Sequence, residues 1–61
     1  MTIGPEYLDV ASAAAYVSVS PRTVRRWLER RSVPFVRVGR VVRLRRADLD
    51  EWLDSQVEEA A

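Results

Sequence analysis

Apolar side chains recur at helical spacing in the first third of the chain. Positions 10, 13, 14 and 17 are Val, Ala, Ala and Val, and residues at this spacing lie on one face of an α-helix. Asp9 precedes them, and an aspartate just before the first helical residue is a favourable N-cap. The pattern predicts a first helix over Val10–Val17, with one buried face.

A turn and a second helix are predicted next. The stretch Ser18–Ser20 contains β-branched and cap-type residues that interrupt a helix. Ser20 followed by Pro21 is typical of a helix start, because serine caps the first turn and proline at the first helical position has no N–H to leave unsatisfied. The second helix is predicted to continue to about Arg31 and to end at Ser32–Pro34.

The second helix is predicted to be strongly amphipathic. At about 100° per residue, Val24, Trp27 and Leu28 share one face, which the aliphatic stem of Arg31 extends. This spacing assigns Trp27 to the core in preference to stacking on an external base. The opposite, outer face is basic: Arg22 and Arg26 lie at its centre, Arg25 on one side, and Thr23 and Arg30 on the other.

Residues 34–46 change from helical to alternating polarity, which favours β-strands. Gly39–Arg40 lies in the middle of this stretch, and glycine at the first position suits a two-residue type II′ hairpin turn. The hairpin places Phe35, Val42 and Leu44 on one face, which is predicted to point to the core. The predicted pairs are Val38 with Val41, Arg37 with Val42, Val36 with Arg43, and Phe35 with Leu44.

A third helix is predicted over about residues 47–58. Leu49, Trp52 and Leu53, with Val57 one turn later, mark its apolar face, and Trp52 is assigned to the core. Acidic residues occupy its other faces. Those near its N-terminus stabilise the helix, because the helix dipole is positive at that end.

The predicted order of elements is therefore helix, tight turn, helix, hairpin, helix. This is the plan of a winged helix-turn-helix, a mainly α-helical α+β fold, here expected as a single domain over residues 1–61. In such a fold the second helix enters the DNA major groove and the hairpin forms a wing. The wing tip, Gly39–Arg40, is expected to place a guanidinium on a backbone phosphate or in the adjacent minor groove.

Charge is segregated along the chain, although the net charge is only +1. Residues 1–21 carry −2, residues 22–46 carry +9 and residues 47–61 carry −6. All ten basic residues are arginines in the middle segment, where Glu29 is the only acid. A basic segment of this density favours a polyanion such as double-stranded DNA, since arginine pairs bidentately with phosphate and with guanine.

The composition argues against catalysis and metal binding. The chain has no histidine, cysteine or lysine, so the commonest general base, the strongest nucleophiles and the usual zinc ligands are missing. We therefore predict a protein that is not an enzyme and needs no cofactor or metal. The sequence has no membrane-spanning apolar run and no secretory signal, which predicts a cytoplasmic location.

Four motifs follow one another between Tyr7 and Leu53: A-A-x-x-x-x-V-S, T-V-x-R-W, V-P-x-x-R-V-G and D-L-x-x-W-L. In this combination they resemble the excisionase-type, MerR-like winged helix-turn-helix family. The resemblance implies a phage excisionase, also called a recombination directionality factor, acting on DNA in a bacterial host cell. Such a protein binds and bends attachment-site DNA and directs an integrase towards prophage excision, without catalysis of its own.

The residues expected to contact DNA come partly from the two ends of the second helix and partly from the resemblance. Ser20 is expected to offer its hydroxyl, or the N–H groups of the helix N-terminus, to a phosphate. Arg30 is expected either to contact DNA or to complement the negative end of the helix dipole. The family's recognition-helix contacts correspond to Arg22, Thr23, Arg25 and Arg26, and its wing contacts to Arg37 and Arg40.

Two partners are expected besides DNA. The first is the integrase, as the resemblance implies. The second is another copy of the chain, whose acidic third helix would dock on the wing flank formed by Val36, Val38 and Val41 and build head-to-tail arrays; the alternative is an ordinary solvated helix with scattered surface valines.

MerR regulators add an effector domain and a dimerising coiled coil, neither of which this sequence contains, so a stand-alone DNA-binding module is expected.

Two functions other than excision remain open from the sequence. A small transcriptional regulator of the same fold would need the same contacts as an excisionase. An adaptor that binds an acidic protein surface is the alternative from a different class.

Overall fold

A computed structural model describes residues 6–58, which form three helices and three short strands. The elements confirm the predicted winged helix-turn-helix and add one strand ahead of the first helix. Their bounds are Tyr7–Leu8 for β1, Val10–Val17 for α1, Pro21–Glu29 for α2, Val36–Val38 for β2, Val41–Arg45 for β3 and Arg46–Ser55 for α3.

Helix α1 has the bounds predicted from its apolar spacing. The Ser12 N–H donates to Asp9 Oδ1 at 2.7 Å, so Asp9 is the N-cap. Hydrogen bonds from Ser12, first of all from its backbone N–H, hold the pKa of the Asp9 carboxyl below its ordinary value. Ala13 and Ala14 are buried, which brings the backbone of α1 close to the core.

The turn between α1 and α2 is closed by a Schellman motif. Ser18 adopts the left-handed conformation, with φ 66° and ψ 45°. Its N–H donates to the Ala15 carbonyl at 3.2 Å, and the Val19 N–H donates to the Ala14 carbonyl at 2.9 Å. Val19 also packs against the core, so the turn is anchored by an apolar side chain as well as by backbone hydrogen bonds.

Helix α2 begins as predicted, with Ser20 as N-cap and Pro21 as its first residue, but it ends at Glu29 and not near Arg31. A second Schellman motif ends it: the Arg31 N–H donates to the Leu28 carbonyl at 3.1 Å and the Ser32 N–H to the Trp27 carbonyl at 2.9 Å. Arg31 has φ 53° and an exposed side chain. The prediction that its stem extends the buried face of α2 was therefore wrong.

The hairpin has the predicted register in three pairs, Val36 with Arg43, Arg37 with Val42 and Val38 with Val41. Gly39 has φ 61° whereas Arg40 is outside the left-handed region, as a type II′ turn requires. Leu44 is fully buried, Val42 and Phe35 are half-buried, and the tip residues of the opposite face are exposed, so the predicted core face is confirmed.

The sheet contains a third strand that the hydrophobic pattern did not predict. Strand β1 pairs antiparallel with β3, with Tyr7 opposite Arg45 and Leu8 opposite Leu44, which gives the strand order β1-β3-β2. Leu44 therefore lies opposite Leu8. The predicted pair of Leu44 with Phe35 is absent from the described ladder, because β2 begins only at Val36.

Helix α3 runs from Arg46 to Ser55, so it starts one residue earlier and ends three residues earlier than predicted. The Arg46 N–H donates to the Glu6 carbonyl at 2.7 Å, which ties the start of the helix to the segment before β1. Val57 lies beyond the helix and is 69% exposed, so its assignment to the apolar face was wrong.

A single core receives side chains from β1, all three helices, β3 and the loop before β2. The two tryptophans are half-buried and pack against it, as predicted. On the outside, the Tyr16 hydroxyl donates to Asp50 Oδ1 at 2.5 Å and joins α1 to α3. Within residues 6–58 no helix is long and apolar enough to cross a membrane. The buried core residues are Leu8, Ala13, Ala14, Val24, Val33, Leu44 and Leu49.

Candidate nucleic-acid interface

Helix α2 is held by one face and presents the other to solvent. Val24 is completely buried, and Trp27 and Leu28 pack half-buried against the core. Because the inner face is fixed in this way, the rotation of the helix about its axis is fixed too. The exposed residues of the helix are Pro21, Arg22, Arg25, Arg26 and Glu29.

The outer face forms one shallow, open depression. Arg22, Arg25, Arg26 and Glu29 line it, so three guanidinium groups and one carboxylate share this surface. Among residues 6–58, no ion pair ties these arginines to a carboxylate of the protein. Their guanidinium donors are therefore available to an external partner.

Ser20 and Thr23 form a coupled pair at the N-terminus of α2. Ser20 Oγ accepts from the Thr23 N–H at 3.2 Å and lies 3.0 Å from Thr23 Oγ1. Each hydroxyl carries one proton and the two share a single hydrogen bond, so one hydroxyl proton remains for an outside acceptor. The pair thus caps the helix and still has a donor that suits a phosphate oxygen.

The other predicted contact residues lie on separate parts of the surface. Arg30 is exposed at the C-terminal cap of α2. Arg40 is exposed at the hairpin turn, next to Val38 and Val41, which are 68% and 45% exposed. Arg37 is exposed as well, but its guanidinium carbon lies 5.9 Å from the centre of the Phe35 ring. Arg37 is therefore associated with the base of the wing, and Arg40 with its tip.

Arg31 is a second exposed arginine beside the Phe35 ring, and it was not among the residues predicted to contact DNA. Its guanidinium carbon lies 5.8 Å from the centre of the same Phe35 ring. The sequence contains no local signal for this contact. Arg31 and Phe35 approach one another because the backbone reverses at Arg31, which is in the left-handed conformation. At the end of β3, the guanidinium carbon of Arg45 lies at a comparable distance, 5.8 Å, from the centre of the Tyr7 ring.

Helix-turn-helix, exposed arginine face and β-hairpin together define a winged helix-turn-helix domain. Residues 7–57 match the family model of the helix-turn-helix domain, which is most of the chain, and the protein therefore belongs to this family of DNA-binding domains. The family includes excisionase-like small DNA-binding proteins. Comparison with curated proteins and with solved structures gave no match.

Proposed function

We propose that this protein binds double-stranded DNA sequence-specifically and acts as an excisionase. In this proposal α2 lies in the major groove, and the hairpin wing contacts the adjacent minor groove or the phosphates. The protein bends attachment-site DNA and directs an integrase towards prophage excision. Family membership and the exposed arginine face support DNA binding, and the resemblance of the sequence to excisionases supports the finer role.

One observation carries the DNA-binding proposal. The apolar face of α2 is packed against the core, while Arg22, Arg25 and Arg26 lie together on its exposed face without a carboxylate partner among the described residues. A helix of this kind fits the major groove, where arginine recognises guanine through O6 and N7. Because α2 is held by its inner face, its arginines reach DNA without a refolding step.

We assign the proposed contacts by their place on this surface. Arg22, Arg25 and Arg26 read bases or hold phosphates in the major groove, and Arg30 adds a contact from the C-terminal cap of α2. The hydroxyls of Ser20 and Thr23 contribute to a phosphate contact at the helix N-terminus. Arg37 and Arg40 belong to the wing.

Selection of duplexes from a random library, followed by fluorescence anisotropy on the selected site, tests DNA binding. We expect Arg26→Ala to weaken binding by about 1–3 kcal/mol at particular bases. If six arginines each hold one phosphate, the slope of log K against log salt is roughly −5. Arg45→Ala is the control, because it removes the same charge away from α2 and is expected to leave the base preference unchanged.

An adaptor of acidic proteins predicts the opposite result. In that case Arg26→Ala would change site-specific affinity very little, and no sequence would be enriched in the selection. Either outcome would contradict the proposal.

The first test of the excisionase role is whether an integrase gene lies beside the gene of this protein; the second is a recombination assay with that integrase and its attachment sites. We expect the protein to stimulate excisive recombination, and to bring together two fluorophores at the ends of a duplex that contains its site. Normal bending with no effect on recombination would favour a transcriptional regulator of the same fold.

Cooperative binding of neighbouring copies is part of the same proposal. Val38 and Val41 lie opposite one another on the wing and are exposed, and Glu51 and Asp54 are exposed on α3. We propose that the acidic helix of one copy docks on the wing flank of the next along the DNA. A band-shift titration on tandem sites is the test: binding to the second site no tighter than to an isolated site would exclude the array.

A further inference from the structure

One aromatic ring lies between the recognition helix and the wing and has two guanidinium groups beside it. The guanidinium carbons of Arg31 and Arg37 are 5.8 and 5.9 Å from the centre of the Phe35 ring. The two guanidinium carbons can therefore be no farther from each other than these two distances added together. Together with Ser32, Val33 and Pro34 they line one open depression.

The backbone under this depression is held at three points. Arg31 is in the left-handed conformation of the Schellman motif that ends α2. Val33 is 2% exposed and anchors the loop in the core, and Phe35 packs against the same core. Both guanidinium groups therefore project from a fixed backbone, and each lies within cation–π distance of the Phe35 ring that lines the same depression.

The charge of the depression is unbalanced. Its lining contains two arginines and no acid. Two like charges close to one ring repel each other, and an anion between them removes that cost while it accepts hydrogen bonds from both. A phosphodiester suits this arrangement, because its two charged non-bridging oxygens can accept hydrogen bonds from two different guanidinium groups.

We propose that Arg31 and Arg37 jointly hold one backbone phosphate of the DNA duplex, with Phe35 as the residue that positions them. The inference rests on the proposed DNA binding and adds a site to it, at the junction of α2 and the wing. The junction lies directly after the recognition helix and directly before β2, so a duplex held by both elements passes this point. Arg31 thereby becomes a contact residue, and Arg37 serves the phosphate at the base of the wing.

Sharing of one phosphate gives a specific signature in the salt dependence of binding. Counterion release follows the number of phosphates neutralised, at about 0.9 per phosphate. Arg31→Ala and Arg37→Ala should each keep most of the slope, because the remaining arginine still neutralises the phosphate. The double variant should lose about 0.9 of the slope and about tenfold or more in affinity, consistent with the loss of a charge-assisted contact.

A scan with single methylphosphonate linkages locates the phosphate. Replacing one linkage at a time should reveal one position where the uncharged group weakens the wild-type protein but not the double variant. Arg45→Ala is the matched control, since Arg45 also lies 5.8 Å from an aromatic ring, that of Tyr7, at the other edge of β3. The control should retain the sensitivity of the wild type at that position.

Two further variants separate charge from positioning. Arg31→Lys keeps the charge and loses the planar group, and Phe35→Leu keeps both charges and loses the ring. Each should weaken binding at the same phosphate less than the double variant does. Circular dichroism and thermal unfolding establish that every variant is folded at the temperature of the binding assay.

The outcomes distinguish this inference from the proposed function. If Arg26→Ala weakens binding while the double variant binds like the wild type with an unchanged slope, the phosphate site is refuted and DNA recognition by α2 stands. If the double variant loses twice the expected slope, the arginines hold separate phosphates and the shared site is refuted. If the wild type selects no DNA sequence, the proposed function fails first.

Discussion

The indole rings of Trp27 and Trp52 lie in contact, with their centres 4.8 Å apart and their planes tilted by 54°. Trp27 belongs to the inner face of α2 and Trp52 to α3, and both pack half-buried against the core. A tilted pair of this separation is among the favourable arrangements of aromatic rings. Helix α3 thus supports α2 from behind, on the face opposite its exposed arginines.

Truncation of this contact should destabilise the protein. We expect Trp52→Ala to lower the free energy of unfolding by about 2–3 kcal/mol, less than for a fully buried tryptophan because the ring is only half-buried. A double-mutant cycle with Trp27→Leu and Trp52→Leu should give a coupling of about 0.5–1.5 kcal/mol. Urea unfolding followed by far-ultraviolet circular dichroism measures both quantities. Additive effects of the two leucines would show that the rings do not stabilise one another.

Glycine in place of Ser18 should stabilise the domain. Ser18 holds φ 66° and no described hydrogen bond uses its hydroxyl, so the substitution relieves the left-handed conformation without losing a contact. The expected gain is about 1 kcal/mol, which corresponds to about 4–8 °C in Tm for a domain of this size. Differential scanning calorimetry measures it.

Arg31 is the matched comparison, because it has φ 53° but also lies over Phe35. Arg31→Gly relieves the same backbone cost and loses the ring contact, so its gain should be smaller than that of Ser18→Gly. A Ser18→Gly protein no more stable than the wild type would contradict the left-handed assignment of this turn.

The N-cap of α1 should make the stability of the protein depend on pH in the acidic range. The pKa of Asp9 lies below its ordinary value of 3.8 because the carboxylate accepts hydrogen bonds from Ser12. Folding therefore favours the charged carboxylate. Its contribution to the free energy of unfolding is fully present at pH values above the pKa of Asp9 in the unfolded chain, and it is lost as the pH falls through the lower pKa of the folded protein. Asp9→Asn keeps a good cap and should show a smaller loss of Tm below pH 3.8 than the wild type.

Asp9→Ala is the companion variant. It removes the acceptor for the Ser12 N–H and should lower Tm at neutral pH, which Asp9→Asn should not do. Equal acid sensitivity in the wild type and in Asp9→Asn would show that Asp9 is not the titrating group.

The hydrogen bond between α1 and α3 should be visible in a tyrosine titration. Donation to Asp50, assisted by desolvation, raises the pKa of Tyr16 above its ordinary value of 10.0. Folding therefore favours the neutral phenol. Its contribution to the free energy of unfolding is complete below pH 10.0 and is lost as the pH rises through the pKa of Tyr16 in the folded protein.

The chain has two tyrosines, so Tyr7→Phe leaves Tyr16 as the only phenol. Absorbance titration of this variant should give a pKa above 10.0, and the added substitution Asp50→Asn should lower it. An unchanged pKa of Tyr16 after loss of the Asp50 charge would exclude the carboxylate as its cause.

Local signals in the sequence were sufficient for most elements. The bounds of α1, the start of α2 at Ser20 and Pro21, and the hairpin register around Gly39 were predicted because each depends on neighbouring residues alone. The arginine face of α2 followed from helical periodicity in the same way. Whether these arginines and the wing converge on one duplex remains a prediction, with the binding experiments as its test.

The amino-acid sequence by itself determined the order of elements, the amphipathic second helix and the concentration of positive charge, because periodicity, caps and charge are local properties. Only the tertiary structure decided the rest. Strand β1 is two residues long and forms because β3 offers it a partner, and Arg31 leaves the helical conformation where Val33 enters the core. The contact of Arg31 with Phe35 follows from that reversal, since residues on either side of a turn meet only when the packing of the whole chain holds the turn in place.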